Sequence, residues 1–147
     1  MKELFVSESS RINCYPELFG DEIFKGLPLY CYAESLFYAG MKQMISVYNG
    51  GYFEFLKLDT EGASFLPILD EDVKVTIKTP YSEGVLSYRS ACLVVWLFVL
   101  EQIANSGISA KSQRKIIDCY DDIRSGYREF GLELFEEDFR EIHNLID

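Results

Sequence analysis

Hydrophobic positions fall into three patterns along this chain. From Ala91 to Leu100, ten successive residues are apolar. A helix through them has no polar face, so it must be covered on every side. Ser87 is placed to cap that helix and Gly107 to stop it after about Asn105. The second pattern has period two. Val73, Val75 and Ile77 alternate with Lys74, Thr76 and Lys78, as in a half-buried strand. Before it, Tyr52 to Leu58 reads as an aromatic, partly alternating strand. Asp59 to Gly62 then makes a turn, and Ala63 to Ile68 returns as a second strand, with Pro67 placing it at an edge or a bulge. Pro80 to Gly84 turns again, and Val85-Leu86 adds a short last strand.

The third pattern is helical spacing. Leu29, Tyr32, Leu36, Met44 and Val47 mark a helix that opens at Pro28 and ends by Asn49-Gly50-Gly51, with Gly40 as its weak point. Ile116, Tyr120, Ile123 and Tyr127 mark another, capped by Ser109 and broken at Gly131. Phe135, Phe139, Ile142 and Ile146 mark a short C-terminal one. Residues 1–26, punctuated by Pro16, Gly20 and Gly26, read as short turns. The expected fold class is α+β: one domain over residues 1–147, with a small antiparallel sheet from about Tyr52 to Leu86 packed against the central apolar helix and further helices.

Composition narrows the function. At 147 residues and 48% hydrophobic, the chain has enough length for one real core without a metal or disulfide staple. Its net charge of −10 disfavours gripping nucleic acid by the phosphates, or lying on an anionic membrane. A basic protein partner, or a surface that normally binds DNA, fits that charge better. The ten-residue apolar run is half of what a spanning helix needs, about 20 residues. The N-terminus MKELFVSESS has no apolar signal region, and Cys14, Cys31, Cys92 and Cys119 are far apart. The expectation is a cytoplasmic protein with reduced thiols.

Few residues offer chemistry. His143 is the only histidine and reads as a helix-end residue facing the negative end of the dipole. No nucleophile–base pair and no metal-ligand spacing is present, so no catalytic, cofactor-binding or metal residues are assigned, and no small-molecule substrate is expected. Asn49-Gly50-Gly51 lacks the spacing of a phosphate loop and reads as a helix end running into a tight turn. Asp70-Glu71-Asp72 reads as solvated turn chemistry. The acids crowd the C-terminal end: from Asp118 onward there are ten, against Arg124, Arg128 and Arg140. Asp121, Asp122, Glu136, Glu137 and Asp138 are therefore the candidate acidic surface. It is either the solvated side of two helices or a face that imitates DNA phosphates. Arg124 and Arg128, spaced to pair with Asp121 within the helix, dilute that field.

The order of several blocks resembles the ArdB/KlcA antirestriction family. Tyr48-Asn49-Gly50-Gly51-Tyr52-Phe53-Glu54-Phe55 is similar to the family's Y-x-G-G-Y-W-x-F, with Phe53 in place of the usual Trp. Phe65-Leu66-Pro67 resembles its aromatic-to-Pro segment, and Gly84-Val85-Leu86-Ser87 with Ala91 resembles its G-x-L-S-A-D-A-A-G-I region. Tyr88-Arg89-Ser90 stands where that region has A-D-A. Arg11 and Pro16 to Gly20 resemble its entry segment. The resemblance implies a plasmid or other mobile-element protein that relieves type I restriction–modification cleavage of incoming DNA. The family is not known as an enzyme, which agrees with the missing catalytic set; with the acidic charge, the expectation is protein contact rather than catalysis, with no cofactor, no direct nucleic-acid binding and a type I complex as partner. The contact surface expected from it is Tyr48, Asn49, Gly50, Gly51, Tyr52, Phe53 and Glu54. The alternative reading is an acidic interaction or immunity-type protein that binds a nuclease or toxin.

Overall fold

The computed structural model describes residues 3–5, 13–58, 62–69, 71, 73–126 and 135–146. In chain order the elements are β1 (Glu3–Phe5), α1 (Cys14–Phe19), β2 (Ile23–Phe24), β3 (Leu27–Pro28), α2 (Leu29–Met44), β4 (Glu54–Leu58), β5 (Phe65–Ile68), β6 (Lys74–Lys78), β7 (Glu83–Ser87), α3 (Tyr88–Ala104) and α4 (Ala110–Gly126). A 3-10 turn (Glu136–Asp138) then leads into α5 (Phe139–Ile146).

The all-apolar segment becomes α3, the centre of the fold. Only Arg89, Phe98, Glu101 and Gln102 of its residues escape burial. Ser87 caps it as expected, its hydroxyl accepting from the Ser90 N–H at 3.3 Å. Trp96 is fully buried and donates its indole N–H to the Phe65 carbonyl at 2.9 Å. Tyr15, Phe19 and Phe37 meet its ring edge-on, at 5.8, 5.9 and 5.4 Å. Such edge-to-face packing suits the ring quadrupoles and fixes the core geometry.

The α+β class and the antiparallel pairing stand as expected, but the strand region is divided. β4 pairs with β5 (Glu54↔Ile68, Leu56↔Leu66) and, on its other side, with the N-terminal strand β1 (Glu3↔Leu58). β6 and β7 form a separate hairpin, with Thr76 opposite Val85. All four β5 residues are buried and the strand packs on α3, so helix contact takes the place of a further strand. Pro67 sits on this edge strand, where its missing N–H costs nothing. β2 and β3 make a third, two-residue hairpin. Neither it nor β1 is visible in the hydrophobic pattern.

The helix from Pro28 is shorter than expected. α2 ends at Met44, and Ile45 turns extended. Its buried seam is Leu29, Ala33, Phe37, Gly40 and Met41, while Val47 is 63% exposed. Gly40 marks the closest approach to α3: a Cβ there would stand 3.1 Å from a Val95 methyl and 3.3 Å from a Val99 methyl. α4 and α5 follow the spacing, with Ile116, Ile123 and Ile142 buried. Ser109 accepts from the Ser112 N–H at 3.2 Å. Arg11, the tip of the turn at Asp59, Asp70, Asp72 and Gly131 lie outside the described residues.

Candidate functional site

The chain leaves α2 through a bend closed by the Tyr48 N–H donating to the Ile45 carbonyl at 3.0 Å. Asn49 and Gly50 are exposed, and Gly50 has φ +104°, a conformation that a Cβ penalises. Gly51 serves space instead: a Cβ there would lie 2.8 Å from Leu69 Cδ2. The two adjacent glycines therefore answer different demands.

Past them, alternation splits the aromatics. Tyr52 is 62% exposed, whereas Phe53 is buried. The Phe53 ring lies 5.2 Å from Phe37, 5.7 Å from Tyr38 and 6.2 Å from Tyr48. Glu54 is half-buried and begins β4. Burial, and then the neighbouring Cys92 thiol, push the half-buried Tyr48 phenol above the usual tyrosine range. Of the seven residues, Asn49, Gly50, Gly51 and Tyr52 face solvent, Tyr48 and Glu54 are partly covered, and Phe53 belongs to the core.

The acidic C-terminal set divides as well. Asp121 and Glu137 are exposed, and Asp122 accepts from the Ser64 hydroxyl at 2.8 Å. The Glu136 side chain lies outside the described residues. Asp138 corrects the sequence reading: it is 3% exposed and is no part of an acidic surface. Its Oδ2 accepts from the Ser87 hydroxyl at 2.8 Å, the Ser90 hydroxyl at 2.7 Å and the Ser87 N–H at 3.3 Å. Lys74 Nζ stands 3.3 Å from Oδ1. Burial raises the Asp138 pKa, but the two hydroxyls, the N–H and Lys74 outweigh it and hold the carboxyl below its usual range.

A second carboxylate occupies a similar position at the start of α4. Glu22 accepts from the Ser109 hydroxyl at 2.7 Å, the Ser109 N–H at 3.2 Å and the Ser112 hydroxyl. It lies in a cleft of about 290 Å³ with Lys111 and Lys115, and it fills the place an anion would take at that helix end. Sequence reasoning missed both clusters. Their only local signal is the repeated Ser-x-x-Ser at 87/90 and 109/112, and the acid comes from a distant part of the chain in each case.

The remaining reactive groups are quiet. Cys14, Cys92 and Cys119 are buried and Cys31 is half-buried, and none of them is in a disulfide. Burial pushes the Cys92 and Cys119 thiols up to about 12, far from nucleophilic at neutral pH. His143 sits exposed in the last turn of α5, as its spacing suggested. Among the described residues no cluster of His, Cys, Asp and Glu has the arrangement to hold a metal. No helix among them is long and apolar enough to cross a membrane.

No protein-family model matches the chain. Two relatives from Escherichia coli, both named antirestriction protein KlcA, are similar to it. One is 29% identical over 119 residues, covering 81% of this chain and 80% of the relative. The other is 26% identical over 115 residues, covering 78% and 76%. A solved structure of the KlcA and ArdB proteins superposes with a TM-score of 0.75 at 26% identity, over 99% of this chain and 94% of that one. Those proteins are described as having a novel fold and antirestriction activity against type I DNA restriction systems in vivo but not in vitro.

Proposed function

We propose that the chain is a member of the ArdB/KlcA family of antirestriction proteins, and that it relieves type I restriction–modification cleavage of incoming DNA through protein contact rather than catalysis. The match in fold along almost the whole chain carries the proposal. Three buried thiols, a single histidine at the end of α5 and, among the described residues, no nucleophile set beside a base support contact over chemistry. The net charge of −10 supports a restriction complex in the cytoplasm, rather than its DNA, as the partner.

The contact surface in this reading is the turn from Tyr48 to Glu54. It offers Asn49, Gly50 and an outward Tyr52, an aromatic type that dominates contact energies. Its rival is DNA mimicry by the acidic end. Mimicry loses support because Asp138 is buried and Asp122 is engaged by Ser64.

Phage plating on a host with an active type I system tests both. With the wild-type protein expressed, plating of unmodified phage should rise. Gly50→Val and Tyr52→Ala should each abolish that rise in protein that still melts cooperatively. Reversing Asp121, Asp122, Glu136 and Glu137 to Lys should leave most of it. The opposite pattern transfers the function to the acidic end, and no relief by the wild type refutes the antirestriction reading.

A further inference from the structure

We propose that the outward face of α4, centred on Ile117, pairs antiparallel with the same face of a second copy of this chain, so that Arg114 of each copy meets Asp121 of the other. The pairing uses none of the residues of the Tyr48 to Glu54 turn and goes beyond the contact reading above.

The apolar centre comes first. Ile116 and Ile117 are neighbours, but the core takes only one of them. Ile116, Cys119 and Ile123 are fully buried and anchor α4, whereas Ile117 is 42% exposed. Beside it the surface is hollowed into a cleft of about 270 Å³ lined by Ala110, Gln113, Arg114, Ile117 and Asp118. Gln113 is tied back, its amide N–H donating to the Ala104 carbonyl at 2.7 Å. A branched apolar side chain next to a hollow is a knob with a hole beside it. A second copy brings the same knob and the same hole, and helices pack by such interdigitation.

Charge sets the orientation. Ala110, Arg114, Ile117 and Asp121 follow one another at spacings of four, three and four, which places them on one stripe, and all are exposed. Other charges of α4 are engaged inside the chain. Lys115 donates to the Glu17 carbonyl, Asp122 accepts from the Ser64 hydroxyl at 2.8 Å, and Arg124 donates to the Tyr120 hydroxyl at 3.1 Å. Arg114, Asp118 and Asp121 take part in none of the ion pairs or side-chain hydrogen bonds among the described residues. The charges left over are therefore a base before Ile117 and acids after it.

Symmetry then selects the occupant. A two-fold axis beside Ile117 reverses the order of the stripe, so the base of each copy faces an acid of the other, twice over. A parallel arrangement would set base on base and acid on acid. The stripe ends in small residues, Ala110 and Ser125, and the Ser125 hydroxyl is already satisfied by the Asp121 carbonyl. Two helices can close along its whole length. The net charge of −10 on each copy opposes approach from a distance, but physiological salt screens that field beyond about 8 Å, whereas the Arg–Asp pairs act at contact. One helix against one helix is a small interface, so the dimer is weak and reversible.

The test is sedimentation equilibrium of the full chain at concentrations up to about 1 mM, which should show a reversible monomer–dimer equilibrium. Ile117→Asp, Arg114→Asp and Asp121→Arg should each weaken it about tenfold or more, in protein that still melts cooperatively. Asp121→Arg makes the chain less negative, so association driven by overall charge would strengthen instead. Mixing the Arg114→Asp variant with the Asp121→Arg variant should restore the dimer, and so should both changes in one chain, because each Asp again meets an Arg. Mixing cannot restore a variant that has merely misfolded. A chain that stays monomeric throughout, a dimer indifferent to all three changes, or no recovery in the mixture overturns the proposal.

Discussion

Two helices in this protein start in the same way and differ in what surrounds the start. α3 opens at Ser87 with Ser90 three residues on, and α4 opens at Ser109 with Ser112 three residues on. At each end a distant carboxylate takes both hydroxyls and the capping residue's N–H: Asp138 for α3, Glu22 for α4. Both carboxyls are held below their usual range. For Glu22 the Ser112 hydroxyl is the main cause, with Ser109 adding to it, and burial opposes them little. For Asp138 burial is the largest influence and the donors overcome it. Ser87, Ser90 and Asp138 have no water to turn to if one of them is removed, whereas Ser109 is exposed. The same hydrogen bonds should therefore hold the C-terminal segment firmly in one case and trim a surface helix in the other.

The largest effect is expected at the buried end. Asp138→Ala strands two hydroxyls and an N–H, and should cost about 3 kcal/mol in urea unfolding. Amide exchange should then rise first in α5, which follows the 3-10 turn carrying Asp138. Ser90→Ala removes one donor and should cost about 1 kcal/mol.

The pH response follows next. A carboxyl with a depressed folded pKa contributes stability above its unfolded value, about 3.9 for Asp and 4.3 for Glu, and loses it as pH falls through the folded pKa. Stability should therefore drop in acid below about pH 4. Asp138→Asn should flatten that drop more than Glu22→Gln. Glu22→Gln should be the mildest change, under about 0.5 kcal/mol, and salt should erase its effect while leaving that of Asp138. Equal costs for Asp138→Ala and Glu22→Gln would break the comparison, since burial would then not be what separates the two ends.

What the sequence determined by itself was local. The run from Ala91 to Leu100 admits only a helix covered on all sides, and α3 is that helix. Ser87 and Ser109 were readable as caps because a cap is a property of four neighbouring residues. The block from Tyr48 to Phe55 carried the family likeness, and alternation allowed that one of Tyr52 and Phe53 points inward. The tertiary structure decided the rest. It put Phe53 in the core and Tyr52 outside, because Phe37 and Tyr38 wait on one side only. It split the strands into separate sheets, because β1 reaches β4 from fifty residues away in sequence, and α3 covers β5. It took Asp138 out of the acidic face and set it among Ser87, Ser90 and Lys74, 48 to 64 positions distant. Periodicity tells a residue which side of its own element it occupies. Which element covers that side, and so whether a carboxylate meets water or two buried hydroxyls, is fixed only when the chain closes on itself.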